Sequence, residues 1–171
     1  MKERTNVVTS RGRPVTLLGD EIQIGRKAPE FTALANDLST AKLSTFAGKV
    51  LVIASVPSLD TPVCDIETRR FNVEAQKLSE DVKILVLSMD LPFAQARWCG
   101  QAGVSAVQTL SDHRDASFGQ AYGVLIKESR LLARAVFVID REGIVRYVQL
   151  VKDMSQEPDY EQALAAVKNL L

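Results

Sequence analysis

One histidine, two cysteines and one tryptophan stand among 171 residues, only 6% of the chain is aromatic, and neither sign of charge is in surplus. Each scarcity excludes something. Two cysteines and one histidine cannot furnish the four ligands of a structural zinc site, and two cysteines are too few for the disulfide framework of a small secreted domain. Lys plus Arg number 21 and Asp plus Glu number 21, so the basic excess that drives counterion release is missing and no nucleic-acid partner is expected. No apolar run approaches membrane-spanning length, and the opening MKERTNVVTSRGRPV lacks the core of a signal peptide. The expectation is a cytoplasmic protein with no membrane partner, in a compartment that keeps thiols reduced. With 46% apolar and 25% charged residues, the chain is long enough to build one core without staples. No repeat or linker interrupts it, so a single domain over residues 1–171 is expected.

Strand-length apolar runs alternate with helical segments from Val50 onward, which points to an α/β fold, a sheet with helices on its faces. The runs are Val50–Val56, Lys83–Ser88, Ala135–Asp140 and Ile144–Val151, the last two joined by a turn at Asp140-Arg141-Glu142-Gly143. The first two are continuous and not alternating, as in strands covered on both faces. Thr61–Leu78 between them suits a crossover helix, which makes the two strands parallel. Helices are also expected over Pro92–Ala102, Asp115–Tyr122 and Pro158–Leu171. Upstream, Val15–Leu18 and Ile22–Ile24 flank Gly19-Asp20 and read as an amino-terminal β-hairpin.

Cys64 lies in Val56-Pro57-Ser58-Leu59-Asp60-Thr61-Pro62-Val63-Cys64-Asp65, the loop that leaves a buried strand and starts a helix. Open α/β sheets build their sites there. Asp60 or Thr61 suits the N-cap and Pro62 the first helical position, which puts Cys64 in the first turn. Free N–H groups and the positive end of the helix dipole favour a thiolate at that place, and the thiolate is the nucleophile. Asp65 and Glu67 oppose it, so a cation is needed. Arg69 and Arg70 are the local candidates and Arg134 a distant one. Read from the residues alone, Cys64 is either a small buried hydrophobe or a reactive thiol. His113 stands among turn-forming residues and reads as a loop or cap position, while Trp98 and Phe93 read as core or interface.

Pro57-x-x-x-Thr61-x-x-Cys64 resembles the active-site motif of the peroxiredoxins. Ser88-Met89-Asp90-Leu91-Pro92-Phe93-Ala94-Gln95-Ala96-Arg97-Trp98-Cys99 is similar to the signature of one branch, the bacterial thiol peroxidases or atypical 2-Cys peroxiredoxins. Leu132–Asp140 and Glu157–Glu161 are similar to further stretches of that branch. The resemblance implies a thioredoxin-like fold, a central mixed sheet flanked by helices, with the hairpin added. It implies that Cys64 attacks a hydroperoxide and becomes a sulfenic acid, that Thr61 hydrogen-bonds thiolate and peroxide, that Pro57 shapes the pocket and that Arg134 lies against the thiolate. Cys99 would then be the resolving cysteine, forming an intrachain disulfide with Cys64. By the same resemblance no metal, haem or flavin takes part, thioredoxin is the reductant and the assembly is a homodimer.

Cys99 stands 35 residues after Cys64 and position 67 is Glu, so no CxxC is present. This speaks against a general disulfide reductase; a non-enzymatic redox sensor, which needs the same two thiols, stays open. A disulfide needs Cα atoms within about 7 Å, so cysteines on separate helices are expected to meet only if the first turn around Cys64, the Cys99 helix, or both unwind. Gly100 and Gly103 make the second segment easy to loosen.

Overall fold

The computed structural model describes residues 1–171. In chain order its elements are β1 (Glu3–Ser10), β2 (Arg13–Leu18), β3 (Thr32–Leu34), β4 (Thr40–Lys42), β5 (Val50–Ser55), α1 (Pro62–Lys77), β6 (Val82–Ser88), α2 (Pro92–Ala102), β7 (Gln108–Ser111), α3 (Ser117–Ala121), β8 (Leu125–Ile126), β9 (Ala135–Ile139), β10 (Val145–Leu150) and α4 (Tyr160–Lys168), with a 3₁₀ turn at Leu43–Phe46. The four apolar runs are four adjacent strands, β10-β9-β5-β6 with β10 at the edge, of a seven-stranded mixed sheet of order β10-β9-β5-β6-β7-β3-β4. β5 and β6 pair in parallel across the α1 crossover, and β9 runs antiparallel to β5. Alternate residues of these strands feed two separate cores. Leu51, Ile53, Leu85, Leu87, Phe137 and Ile139 face one side, packed with the hairpin and α3. Val50, Val52, Ile84, Val86, Val136 and Val138 face the other, packed with α1, α2 and α4. Burial on both faces is why β5 carries no polar alternation.

The hairpin exists, but in a different register from the sequence expectation. β2 pairs antiparallel with β1, upstream of it, around a two-residue turn at Arg11-Gly12, whereas Ile22–Ile24 form no strand. Arg11 at φ 50° and Gly12 at φ 78° make the left-handed turn that suits the twist of a hairpin. Arginine in the place usually taken by Asn, Asp or Gly hid that turn. β2 then adds β8 on its other edge, making a three-stranded second sheet.

Helix ends shift by small amounts with identifiable causes. α3 starts at Ser117 and not at Asp115, because Ala116 sits in the left-handed region at φ 49°. α4 starts at Tyr160, where the Asp159 carboxylate accepts the Gln162 N–H at 3.0 Å as an N-cap. α2 closes on Gly103, at φ 67°, whose N–H donates to the Cys99 carbonyl. No helix is long and apolar enough to cross a membrane.

Candidate active site

α1 begins where the apolar β5 runs out. Thr61 is its N-cap, in extended conformation, and Pro62 fills the first helical position. The Thr61 hydroxyl donates to the Ser58 carbonyl at 2.8 Å and closes the turn before the helix. The Asp65 N–H is the first in the helix to find a backbone acceptor, the Thr61 carbonyl at 3.0 Å. Cys64 therefore stands in the first turn, among N–H groups that precede the helical ladder. Its side chain is 0% exposed, and Pro57 is buried on the loop that leads to it.

Asp90 holds that loop in shape. Its carboxylate accepts the Ser58 hydroxyl at 2.7 Å and the Leu59 N–H at 2.9 Å, and also the Ser88 hydroxyl at 2.7 Å. The Gln95 amide of α2 donates in turn to Ser88 Oγ and to the Leu110 carbonyl, both at 2.9 Å. Above the first turn lies an open depression of about 520 Å³ lined by Leu59, Thr61, Pro62, Ile66 and Trp98, among others.

Of the three arginines weighed as partners for the sulfur, Arg134 is the one that reaches it. Ser55 at the end of β5 donates its hydroxyl to the Ala133 carbonyl at 2.7 Å, which fixes the chain just before Arg134. The guanidinium then lies buried, with Nη2 at 3.4 Å from Cys64 Sγ. Arg69 instead pairs with Asp65 at 2.8 Å, and Arg70 with Glu74 at 3.2 Å.

Glu67 adds to the sequence reading. Expected to oppose a thiolate, its carboxylate also forms a buried ion pair with Arg134 Nη1 at 2.5 Å. The signal was present in the spacing: residues i and i+3 share a helix face, so a glutamate three after a buried cysteine is buried too and needs a cation. Burial raises the Glu67 carboxyl from its ordinary 4.5 to about 7, and Arg134 pulls the other way. Glu67 Oε1 has no hydrogen-bond partner. The remaining Arg134 contacts, Nε at 3.2 Å and Nη2 at 2.8 Å, both go to the Met154 carbonyl.

Cys99 is in α2, partly exposed, with Sγ 3.5 Å from Thr109 Oγ1. Both cysteines are free thiols, and both pack in the core beneath α1 and α2. The structure thus brings Cys64 and Arg134 together, sets Thr61 and Pro57 on the loop around them, and leaves Cys99 on the neighbouring helix with a different partner.

A family model described as Redoxin matches residues 23–164, most of the chain. The chain belongs to the redoxin family. It is 56% identical over 164 residues to a thiol peroxidase of Halalkalibacterium halodurans, covering 96% of this chain and 98% of that one. Another thiol peroxidase, from Oceanobacillus iheyensis, is 58% identical over 158 residues, 92% of this chain and 96% of the relative. Among solved structures, a peroxiredoxin-like protein from Aquifex aeolicus superposes with a TM-score of 0.91 at 45% identity over 98% of both chains. A thiol peroxidase from Chromobacterium violaceum, at 21% identity and a TM-score of 0.85 over 95% of each chain, shows the shared fold. The fold is thioredoxin-like with an added hairpin, as the resemblance implied.

Proposed function

We propose that this enzyme, a thiol-dependent peroxidase by family, reduces hydrogen peroxide and organic hydroperoxides at Cys64, forms an intrachain disulfide with Cys99 and is recycled by thioredoxin. The observation that carries the reading is the Arg134 guanidinium 3.4 Å from a sulfur in the first turn of α1. A buried cation and helix N–H groups stabilise negative charge on the attacking sulfur and on the departing oxygen.

The Cys64 thiolate attacks the terminal oxygen of the hydroperoxide. An S–O bond forms as the O–O bond breaks, sulfur loses two electrons, and the departing oxygen takes a proton from solvent to leave as water or alcohol. Thr61 accepts a hydrogen bond from the peroxide with its hydroxyl lone pairs, and Pro57, buried on the loop before Thr61, shapes the pocket from behind. Because Cys64 has no exposed surface, the loops around it open to admit substrate. The Cys99 thiol next attacks the sulfenic sulfur; an S–S bond forms, the S–O bond breaks, and the hydroxide leaves as water with the thiol proton. Different partners for the two sulfurs support the unwinding of the Cys64 turn, the Cys99 helix, or both at this step. A thioredoxin dithiol then reduces the disulfide by exchange and becomes a disulfide itself.

The protein works in the cytoplasm as one domain over residues 1–171 and as a homodimer. The exposed side chains of Leu91, at 51%, and Phe93, at 67%, beside the Asp90 that holds the thiol loop, support an interface there.

Peroxide-dependent NADPH oxidation, coupled through thioredoxin and its reductase, tests the assignment. Cys64→Ser abolishes turnover, and Cys99→Ser consumes one equivalent of peroxide and leaves a trappable sulfenic acid. Full turnover by Cys64→Ser overturns it.

A further inference from the structure

Two of the four polar contacts of the Arg134 guanidinium go to one backbone oxygen, that of Met154. The nitrogen that donates to Cys64 Sγ, Nη2, is the same one that donates to the Met154 carbonyl at 2.8 Å. A guanidinium is planar and rigid, so its orientation follows from where its acceptors stand. Glu67 anchors Nη1 and the Met154 carbonyl anchors the Nε–Nη2 edge. With one anchor lost, the group is free to pivot about the other.

Met154 belongs to no helix or strand, so its carbonyl is only as fixed as whatever holds the loop. The amino-terminal hairpin holds it. The Met154 N–H donates to the Thr9 carbonyl and the Thr9 N–H to the Lys152 carbonyl, both at 2.9 Å, a parallel bridge centred on Thr9 and Asp153. The Asp153 carboxylate then accepts four hydrogen bonds. Oδ2 takes the Thr9 hydroxyl at 2.5 Å and the Gly12 N–H at 2.9 Å. Oδ1 takes the Ser155 hydroxyl at 2.5 Å and its N–H at 2.9 Å. At the other end of the segment the Val151 N–H donates to the Arg134 carbonyl at 3.0 Å.

We infer that Thr9 and Asp153 are positioning residues for the peroxide reaction, holding the Met154 carbonyl so that Arg134 lies on Cys64, and that the hairpin is therefore part of the thiol site. The inference rests on the proposed roles of Cys64 and Arg134. Hydrogen bonds from Ser155 and Thr9 hold the Asp153 carboxyl well below the usual carboxylate range, so the clamp stays charged at any working pH. Val8 and Leu17 keep the hairpin docked in the core without the clamp, so the clamp can be cut while the fold stands.

The test uses the full chain carrying Cys99→Ser, which isolates the first step, and reads the second-order rate constant with hydrogen peroxide across pH, with thermal melting alongside. Thr9→Val and Asp153→Ala each slow the reaction about tenfold, the scale of one lost charge-assisted hydrogen bond. Both shift the rising limb of the pH profile upward. Thr9→Ser restores the rate to within about twofold, since the hydroxyl returns. In an Arg134→Lys background, itself slow, Asp153→Ala adds no further loss, because it acts through the guanidinium. Should Asp153→Ala fail to fold, the Thr9 pair carries the test alone. Wild-type rate and pH profile in Thr9→Val, with only a lower melting temperature, overturn the inference and leave a fastening of the hairpin. A wild-type rate in Arg134→Lys instead overturns the role of Arg134, a separate result.

Discussion

Glu67 and Arg134 are paired where no water reaches them. Such a pair gives little net stability, since desolvation offsets most of the attraction, but removing one partner typically costs about 3–5 kcal/mol. The fixed carboxylate also orients the guanidinium that lies 3.4 Å from Cys64 Sγ. Charge counting along the sequence saw only its repulsion of a thiolate and not its buried partner, because Arg134 stands 67 residues further along the chain. The folded carboxyl titrates near 7 against an ordinary 4.5, with burial as the largest cause and Glu157 adding repulsion. Asp112, buried with its oxygens on the Phe118 and Gly119 N–H groups, is raised by burial from 3.8 to about 6. A group raised on folding holds its proton longer in the folded state, so its stabilisation is present in acid and is lost as pH rises through the folded value. Stability therefore falls from about pH 5 to pH 7.5, with Glu67 contributing about 3 kcal/mol. In Glu67→Gln the fall is confined to below about pH 6.5, where Asp112 acts. Urea unfolding at several pH values checks this, and a stability that rises between pH 6 and 7.5 in the wild type contradicts it.

At the scale of elements, the first turn of α1 is stitched to α2. Asp65, next to Cys64, accepts the Trp98 indole N–H at 3.0 Å and Arg69 Nε at 2.8 Å. Arg69 reaches the Ala102 carbonyl at 3.2 Å and lies over the Trp98 ring at 5.7 Å. One turn on, buried Asn72 accepts the N–H groups of Ser105, Ala106 and Val107. The proposed disulfide, which brings Cys99 to Cys64, is expected to undo the Trp98 end of this seam. Trp98 is the only tryptophan and only 8% exposed, so its emission reports the event. On mixing reduced protein with peroxide, a shift to longer wavelength follows as a phase independent of peroxide concentration, and Cys99→Ser lacks that phase. Disulfide formation with unchanged emission shows instead that α2 keeps its packing. This seam was not legible beforehand: Arg69 is a cation close to Cys64 in sequence, yet its helical position turns it to α2. The central strands were legible, because burial on both faces writes a continuous apolar run. β3, β4, β7 and β8 were not, being two to four residues long and too short to display a period. The thiol and its arginine could be read from motifs, whereas the Met154 carbonyl could not, since a backbone acceptor leaves no mark on the sequence.

The whole molecule depends on how closely the hairpin sheet approaches the end of α3. Gly19, leaving β2 at φ 105°, and Gly123, following α3 at φ 65°, pack backbone to backbone. Arg4 spans the contact, donating from Nε to the Gly19 carbonyl at 3.1 Å and from Nη2 to the Gly123 carbonyl. A Cβ on Gly123 would stand 2.2 Å from the Asp20 carbonyl oxygen and 2.7 Å from Arg4 Nη2. The oxygen is backbone and cannot swing aside, and the left-handed φ adds strain of its own. Gly123→Ala is therefore expected to lose about 3 kcal/mol, which for a chain of this length lowers the melting temperature by about 10 °C. Arg4 and Thr9 both stand on β1, so the push is expected to reach Thr9 along the strand and weaken its hold on the Met154 loop. The variant consequently loses peroxide reactivity well below its melting temperature, although residue 123 makes no contact with Cys64. Melting and stopped-flow peroxide consumption on one sample separate the two effects. A variant that melts early yet reacts at the wild-type rate in the cold shows that the hairpin can shift without disturbing Arg134.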